Sequence, residues 1–273
     1  MTEHRHLYID ELSVCAVSLD ISFSDTALGT ATGFFFESNE RIYLVSNWHV
    51  FSGREPATGQ PKDKKNGLTP NHISLRFHPT DDLLIIAKMS IPLVNNDESP
   101  VWIQHKIHGQ NVDVAAIEID LQAYSKEVGR KMEVFAINKV SQVHDMKIPP
   151  GSDVVVLGFP LGIMKTGLFP VWKRASVATE MDFDIDGLPS FIIDTATREG
   201  MSGSPVFARS TNSYITRSNS MSMGSGPYNQ FLGVYSGRYV GGIDEAHLGK
   251  VWKKKLIDEI AVDPASGTFE LRS

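Results

Sequence analysis

Residues 197–207 read TREGMSGSPVF, and the reading of the whole chain turns on them. A serine hydroxyl is a poor nucleophile. To attack a carbonyl it needs a base to take its proton and donors to hold the oxyanion that develops. Ser202 lies in the run Gly200-Met201-Ser202-Gly203, whose glycines let the backbone turn tightly, so the amides of Gly200 and Ser202 can aim at one point. Pro205 then opens an apolar run, where its missing N–H does little harm. Ser202 is therefore the candidate nucleophile, with Gly200 and Ser202 as its oxyanion hole.

Working outward, two further segments supply what a nucleophilic serine lacks. SNWHVF places His49 at the end of the apolar run RIYLVSN, where a base can project into a cleft. NVDVAAIEI places Asp113 at the start of another apolar run, buried enough to hold an imidazole in one tautomer. The order His49, Asp113, Ser202 puts the first two on one half of the chain and the third on the other.

The chain around them reads as mostly β. Eleven short runs rich in Val, Ile, Phe, Tyr and Thr recur between turn residues, from SVCAVSLDISF to FLGVYSG, with SNERIY as a hairpin connection. So many strands with few helical patterns between them favour antiparallel barrels or sandwiches over a βαβ sheet. Three segments read otherwise: residues 52–71 as an exposed insertion, MDFDIDG as a turn, and Arg209 to Gln230 as a long mobile loop, given its Ser, Asn and Gly. LGKVWKKKLIDEIA spaces Val251, Leu256, Ile257 and Ile260 for an amphipathic helix over about 249–261.

With 273 residues, 41% hydrophobic and 21% charged, this composition belongs to globular proteins and excludes wholesale disorder. A net charge of −6 argues against a nucleic-acid footprint. The short basic clusters at Lys62, Lys64 and Lys65 and at Lys253 to Lys255 have acidic neighbours and read as solvated surface. The lone Cys15 allows no intrachain disulfide and reads as a buried small side chain. The polar start and the absence of any long apolar stretch lead us to expect a cytoplasmic protein with no membrane partner.

Read together, the segments resemble the trypsin-like (chymotrypsin-fold) serine peptidases from about Val14 to the closing helix. GMSGSPVF is similar to the G-N-S-G-S-P-V-F of bacterial glutamyl endopeptidases and the G-N-S-G-G-P of HtrA-type peptidases. LVSNWHV resembles the strand ending in T-x-x-H-V, with Ser46 in the threonine's place, and DVAAIEI resembles the aspartate strand. GSDVVVLGFPLG and DTATREGMSGSP resemble the second-barrel segments of the HtrA type. The resemblance implies an all-β fold of two six-stranded antiparallel barrels with a C-terminal α-helix. The first spans residues 1–140 with His49 and Asp113. The second spans residues 141–273 with Ser202.

By the same resemblance the protein is a bacterial serine endopeptidase. Its catalytic residues are His49, Asp113 and Ser202, and Ser204 is not the nucleophile. It acts on a protein or peptide substrate, needs no metal or cofactor, and has room for a regulatory protein partner.

The substrate pocket maps to Ala196, Thr197, Tyr235, Ser236 and Gly237. Ala196 stands where an acidic residue selects Arg or Lys, and Tyr235 where glutamyl relatives carry histidine. Thr197, Arg198 and Arg238 leave an acidic P1 residue open, but a bulky Tyr235 favours small or medium uncharged P1 side chains. Met201 replaces the aspartate that pairs with a new N-terminus in animal-type relatives, and no I-V-G-G start occurs, so activation by N-terminal insertion is not expected. No PDZ domain is expected after FLGVYSG either.

No G-x-S-x-G, Walker A, H-E-x-x-H or G-x-G-x-x-G motif occurs. His105 and His108 have ligand-like spacing but indicate no third ligand, so they read as a loop. The competing reading is a catalytically silent scaffold of this fold that binds proteins.

Overall fold

A computed structural model describes residues 8–161, 169–196, 198–238 and 247–268. In chain order the first half carries β1 (Ala16–Phe23), β2 (Thr26–Ser38), β3 (Arg41–Ser46), α1 (Trp48–Ser52), β4 (His72–Phe77), β5 (Ala87–Pro92), β6 (Ile103–His105), β7 (Ala115–Ile119) and α2 (Leu121–Glu127). The second carries β8 (Asp153–Gly158), β9 (Val171–Val177), β10 (Ser190–Asp194), β11 (Pro205–Ile215), β12 (Met221–Arg238), β13 (Leu248–Lys253), α3 (Lys255–Val262) and β14 (Pro264–Ser266).

The architecture is chymotrypsin-like, two antiparallel β units side by side. The second is a closed six-stranded barrel in the order β10-β13-β12-β11-β8-β9. Where six strands were expected, the first is an eight-stranded sheet in the order β14-β6-β7-β3-β2-β1-β4-β5, which β14 from beyond residue 141 joins at β6. β2 and β3 form the expected hairpin: Asn39 and Glu40 both adopt positive φ (49° and 62°), the backbone twist that joins tightly paired strands.

Two segments differ from their sequence reading. Residues 209–230 are a paired ribbon of β11 and β12, in register at Arg209↔Asn229, Ser210↔Tyr228 and Tyr214↔Ser222, and not a loop. Ladder hydrogen bonds satisfy the backbone there although the side chains are small and polar. At the other end, residues 248–253 are strand β13, and the helix begins only at Lys255. Pairing with both β10 and β12 closes the barrel and outweighs helix propensity at Val251 and Trp252. Helix α3 then buries Leu256, Ile257, Ile260 and Ala261.

The chain after α3 returns to the first unit, where β14 pairs with β6. One buried cluster joins the units: Leu12, Phe34, Val45 and Val114 pack with Leu157, Phe207, Phe231, Trp252 and Ile257. Cys15 is buried in it as expected, and burial, with Glu11 and Asp10 nearby, pushes its thiol far above the ordinary range.

Candidate active site

His49 sits in the single turn of α1, directly after β3. Asn47 fixes that corner by donating from Nδ2 to the Asp113 carbonyl at 2.7 Å, and Trp48 donates from Nε1 to Gln104 Oε1 at 2.9 Å. The His49 ring and the Asp113 carboxylate meet at 2.7 Å between Nδ1 and Oδ2, both nearly buried. A carboxylate only accepts, so Nδ1 carries a proton toward it, and in the neutral ring Nε2 is the acceptor. Asp113 also accepts from the His49 backbone N–H at 2.9 Å and from Ser236 Oγ at 2.5 Å. Three donors thus satisfy a buried charge that would be costly alone.

Ser202 lies on the loop between β10 and β11. Gly200 and Gly203 hold φ of 94° and 84°, a region that L side chains rarely adopt. A Cβ at Gly203 would collide with the Thr32 carbonyl and the Ser46 hydroxyl, and one at Gly200 with the Phe159 carbonyl. Leu161 N–H donates to the Glu199 carbonyl at 2.8 Å. In a trans peptide N–H and C=O point opposite ways, so the Gly200 N–H faces away from Leu161.

Thr32, fully buried in β2, cinches the same loop. Its Oγ1 donates to the Gly200 carbonyl at 2.8 Å and accepts from Phe159 N–H at 3.1 Å, while its N–H donates to the Ser202 carbonyl at 2.9 Å. The first unit thereby grips the Ser202 loop of the second. Neither Thr32 nor the Asp113-holding role of Ser236 was visible in sequence, because each acts on residues distant along the chain.

His49, Gly200 and Ser202 line one cleft of about 930 Å³. Among the described residues no hydrogen bond joins Ser202 Oγ to His49; such bonds often tighten only when substrate is bound. A second cavity of about 450 Å³ opens beside it, lined by Leu161, Arg198, Glu199, Ser202, Tyr235, Gly237 and Arg238. Of the expected pocket residues, Tyr235 and Gly237 line this cavity. Tyr235 is buried, and its ring lies where a Cβ on Gly249 would be, filling barrel interior beneath the cavity. Ser236 instead turns its hydroxyl to Asp113. Ala196 lines a separate cavity with Asp153, Lys173 and Asp194, and Thr197 lies outside the described residues.

His105 and His108 form no metal centre among the described residues. Their rings stack at 4.8 Å, and His105 Nε2 pairs with Glu259 at 3.0 Å, linking β6 to α3. Met201 is buried in the second barrel's core.

The family model of the trypsin-like peptidase domain matches residues 31–215. No curated protein matches the chain. Among solved structures, the active form of the Rv3671c protease from M. tuberculosis is 18% identical, with a TM-score of 0.46 over 94% of this chain and 84% of that one. The MamO protease domain from Magnetospirillum magneticum is 12% identical, with a TM-score of 0.46 over 91% and 96%. The serine endoprotease from Yersinia pestis is also 12% identical, with a TM-score of 0.47 over 91% of this chain and 62% of that one.

Proposed function

Because the chain belongs to the trypsin-like peptidase domain family, we propose that it is a serine endopeptidase working through His49, Asp113 and Ser202. The observation that carries this reading is the buried His49–Asp113 pair, braced by Ser236, on the wall of the cleft that Ser202 also lines.

In this mechanism Ser202 Oγ attacks the scissile carbonyl carbon as its proton passes to His49 Nε2. The negative charge gathering on the carbonyl oxygen is met by the Gly200 and Ser202 N–H groups. Asp113 keeps the imidazole oriented and balances the imidazolium. His49 then gives the proton to the leaving amine as the C–N bond breaks, leaving an ester on Ser202. Water, deprotonated by His49, attacks the ester and releases the acid. The buried Met201 offers no charge to a new N-terminus, so this machinery needs no N-terminal cleavage. The Tyr235 ring supports small or medium uncharged side chains before the scissile bond.

Labelling by a fluorophosphonate probe, read on the intact protein, tests the assignment. The parent is expected to label at Ser202. Ser202→Ala and His49→Ala are expected to lose labelling and at least about 10³-fold in kcat while remaining folded. Parental cleavage by either variant would overturn it.

A further inference from the structure

Although the chain carries a net charge of −6, the cleft beside His49 is walled by lysines. Lys62, Lys64 and Lys65, read from sequence as solvated surface, line the same cavity as His49, Gly200 and Ser202. The segment that carries them is a built frame. Lys62 N–H donates to the Gly53 carbonyl at 2.8 Å, Arg54 donates from its guanidinium to the Gly59 carbonyl at 3.0 Å, and Arg54 pairs with Pro61 in an antiparallel bridge.

Asp63, the acidic neighbour of the lysines, lines the same wall but forms an ion pair with none of them. The Asp63 carboxylate accepts the backbone N–H groups of Lys65, Asn66 and Leu68, at 3.1, 3.3 and 3.4 Å. The three lysine side chains are exposed, and none has an ion-pair partner among the described residues. The wall thus sets three lysines against two carboxylates, Asp63 and Glu199, and Glu199 also borders the Tyr235 cavity and therefore sits beside Ser202, at the junction.

The chemistry orients a substrate in this cleft. His49 must hand its proton to the leaving amine, so the chain after the scissile bond lies on the His49 side, along the lysines. The acyl part lies on the side of Tyr235 and Gly237. We propose that Lys62, Lys64 and Lys65 select substrates carrying Asp or Glu at the second and third positions after the scissile bond. This rests on the endopeptidase reading above and adds to it the class of substrate.

The test uses internally quenched peptides that differ only in Glu, Gln or Lys at those two positions. Cleavage is expected to rank Glu over Gln over Lys, with about threefold to tenfold in kcat/KM between the extremes, as for exposed charge pairs. The ranking should fade as ionic strength rises from about 0.05 to about 0.5 M. The triple variant Lys62→Gln, Lys64→Gln, Lys65→Gln should flatten it. Its fluorophosphonate labelling, and its hydrolysis of a peptidyl methyl ester that has no residue after the scissile bond, should stay parental. Equal cleavage of the three peptides, or an unchanged ranking in the triple variant, overturns the proposal while labelling keeps the peptidase reading. Binding of the same peptides to the Ser202→Ala protein, followed by fluorescence anisotropy, reads the preference without turnover. If charge-ranked binding persists where the parent fails to label, the lysine wall stands and the peptidase reading falls.

Discussion

At the scale of single residues, the Ser202 loop depends on a side chain from the other unit. Thr32→Val keeps the volume but removes the hydroxyl, leaving the Phe159 N–H and the Gly200 carbonyl without their shared partner. Each buried group stranded in this way costs about 1–3 kcal/mol, and the loop can relieve that cost only by moving. A shift of the Gly200 peptide takes a donor from the point where the oxyanion forms. We expect kcat to fall by about tenfold to hundredfold, with KM little changed and with Thr32→Ser restoring most of the rate. Steady-state kinetics on the three proteins would decide. A Thr32→Val enzyme with parental kcat would show that the loop holds itself. The three candidate catalytic positions, by contrast, were legible because each is announced by its own neighbours: an apolar run ending at His49, one beginning at Asp113, and glycines around Ser202.

At the scale of elements, composition misled in two places for the same reason. A strand is defined by its partner, and the partner is not local. The ribbon of β11 and β12 is rich in Ser, Asn and Gly, yet beyond its ladder it is held by the Tyr214–Tyr228 ring contact at 4.9 Å. Tyr214 Oη also donates to Asp145 at 3.0 Å, and Arg217 pairs with Asp182 at 3.0 Å. Backbone amides bonded in a ladder exchange only when it opens. Hydrogen exchange should therefore be slower at Ser210, Tyr228 and Gln230, whose N–H groups face the ladder, than at Lys64 in the 52–71 segment. Equally fast exchange at both places would restore the mobile-loop reading. In β13, Val251 satisfies a helical pattern as well as a β one, and the open edges of β10 and β12 decide between them.

At the scale of the whole molecule, the two units share one buried cluster and exchange segments. Trp172 donates to Ser13 at 2.9 Å, Arg209 pairs with Asp10 at 2.6 Å, and α3 and β14 close on the first unit after the second barrel is complete. Separating the units would expose Phe34, Phe207, Phe231 and Trp252 together. We therefore expect a single cooperative thermal transition, with calorimetric and van't Hoff enthalpies agreeing. Two resolved transitions would mean that the shared cluster contributes little. By itself the sequence determined the strand-rich class and, through motifs that resemble the trypsin-like peptidases, pointed to the two-unit plan and to the residues of the candidate triad, because alternation, turn residues and those motifs are written within a few residues of one another. Only the tertiary structure decided that Thr32 and Ser236 brace the site, that the lysines face the cleft, and that the ribbon and β13 are strands. Those features are contacts between residues far apart in the chain, and nothing local encodes which distant group will stand opposite.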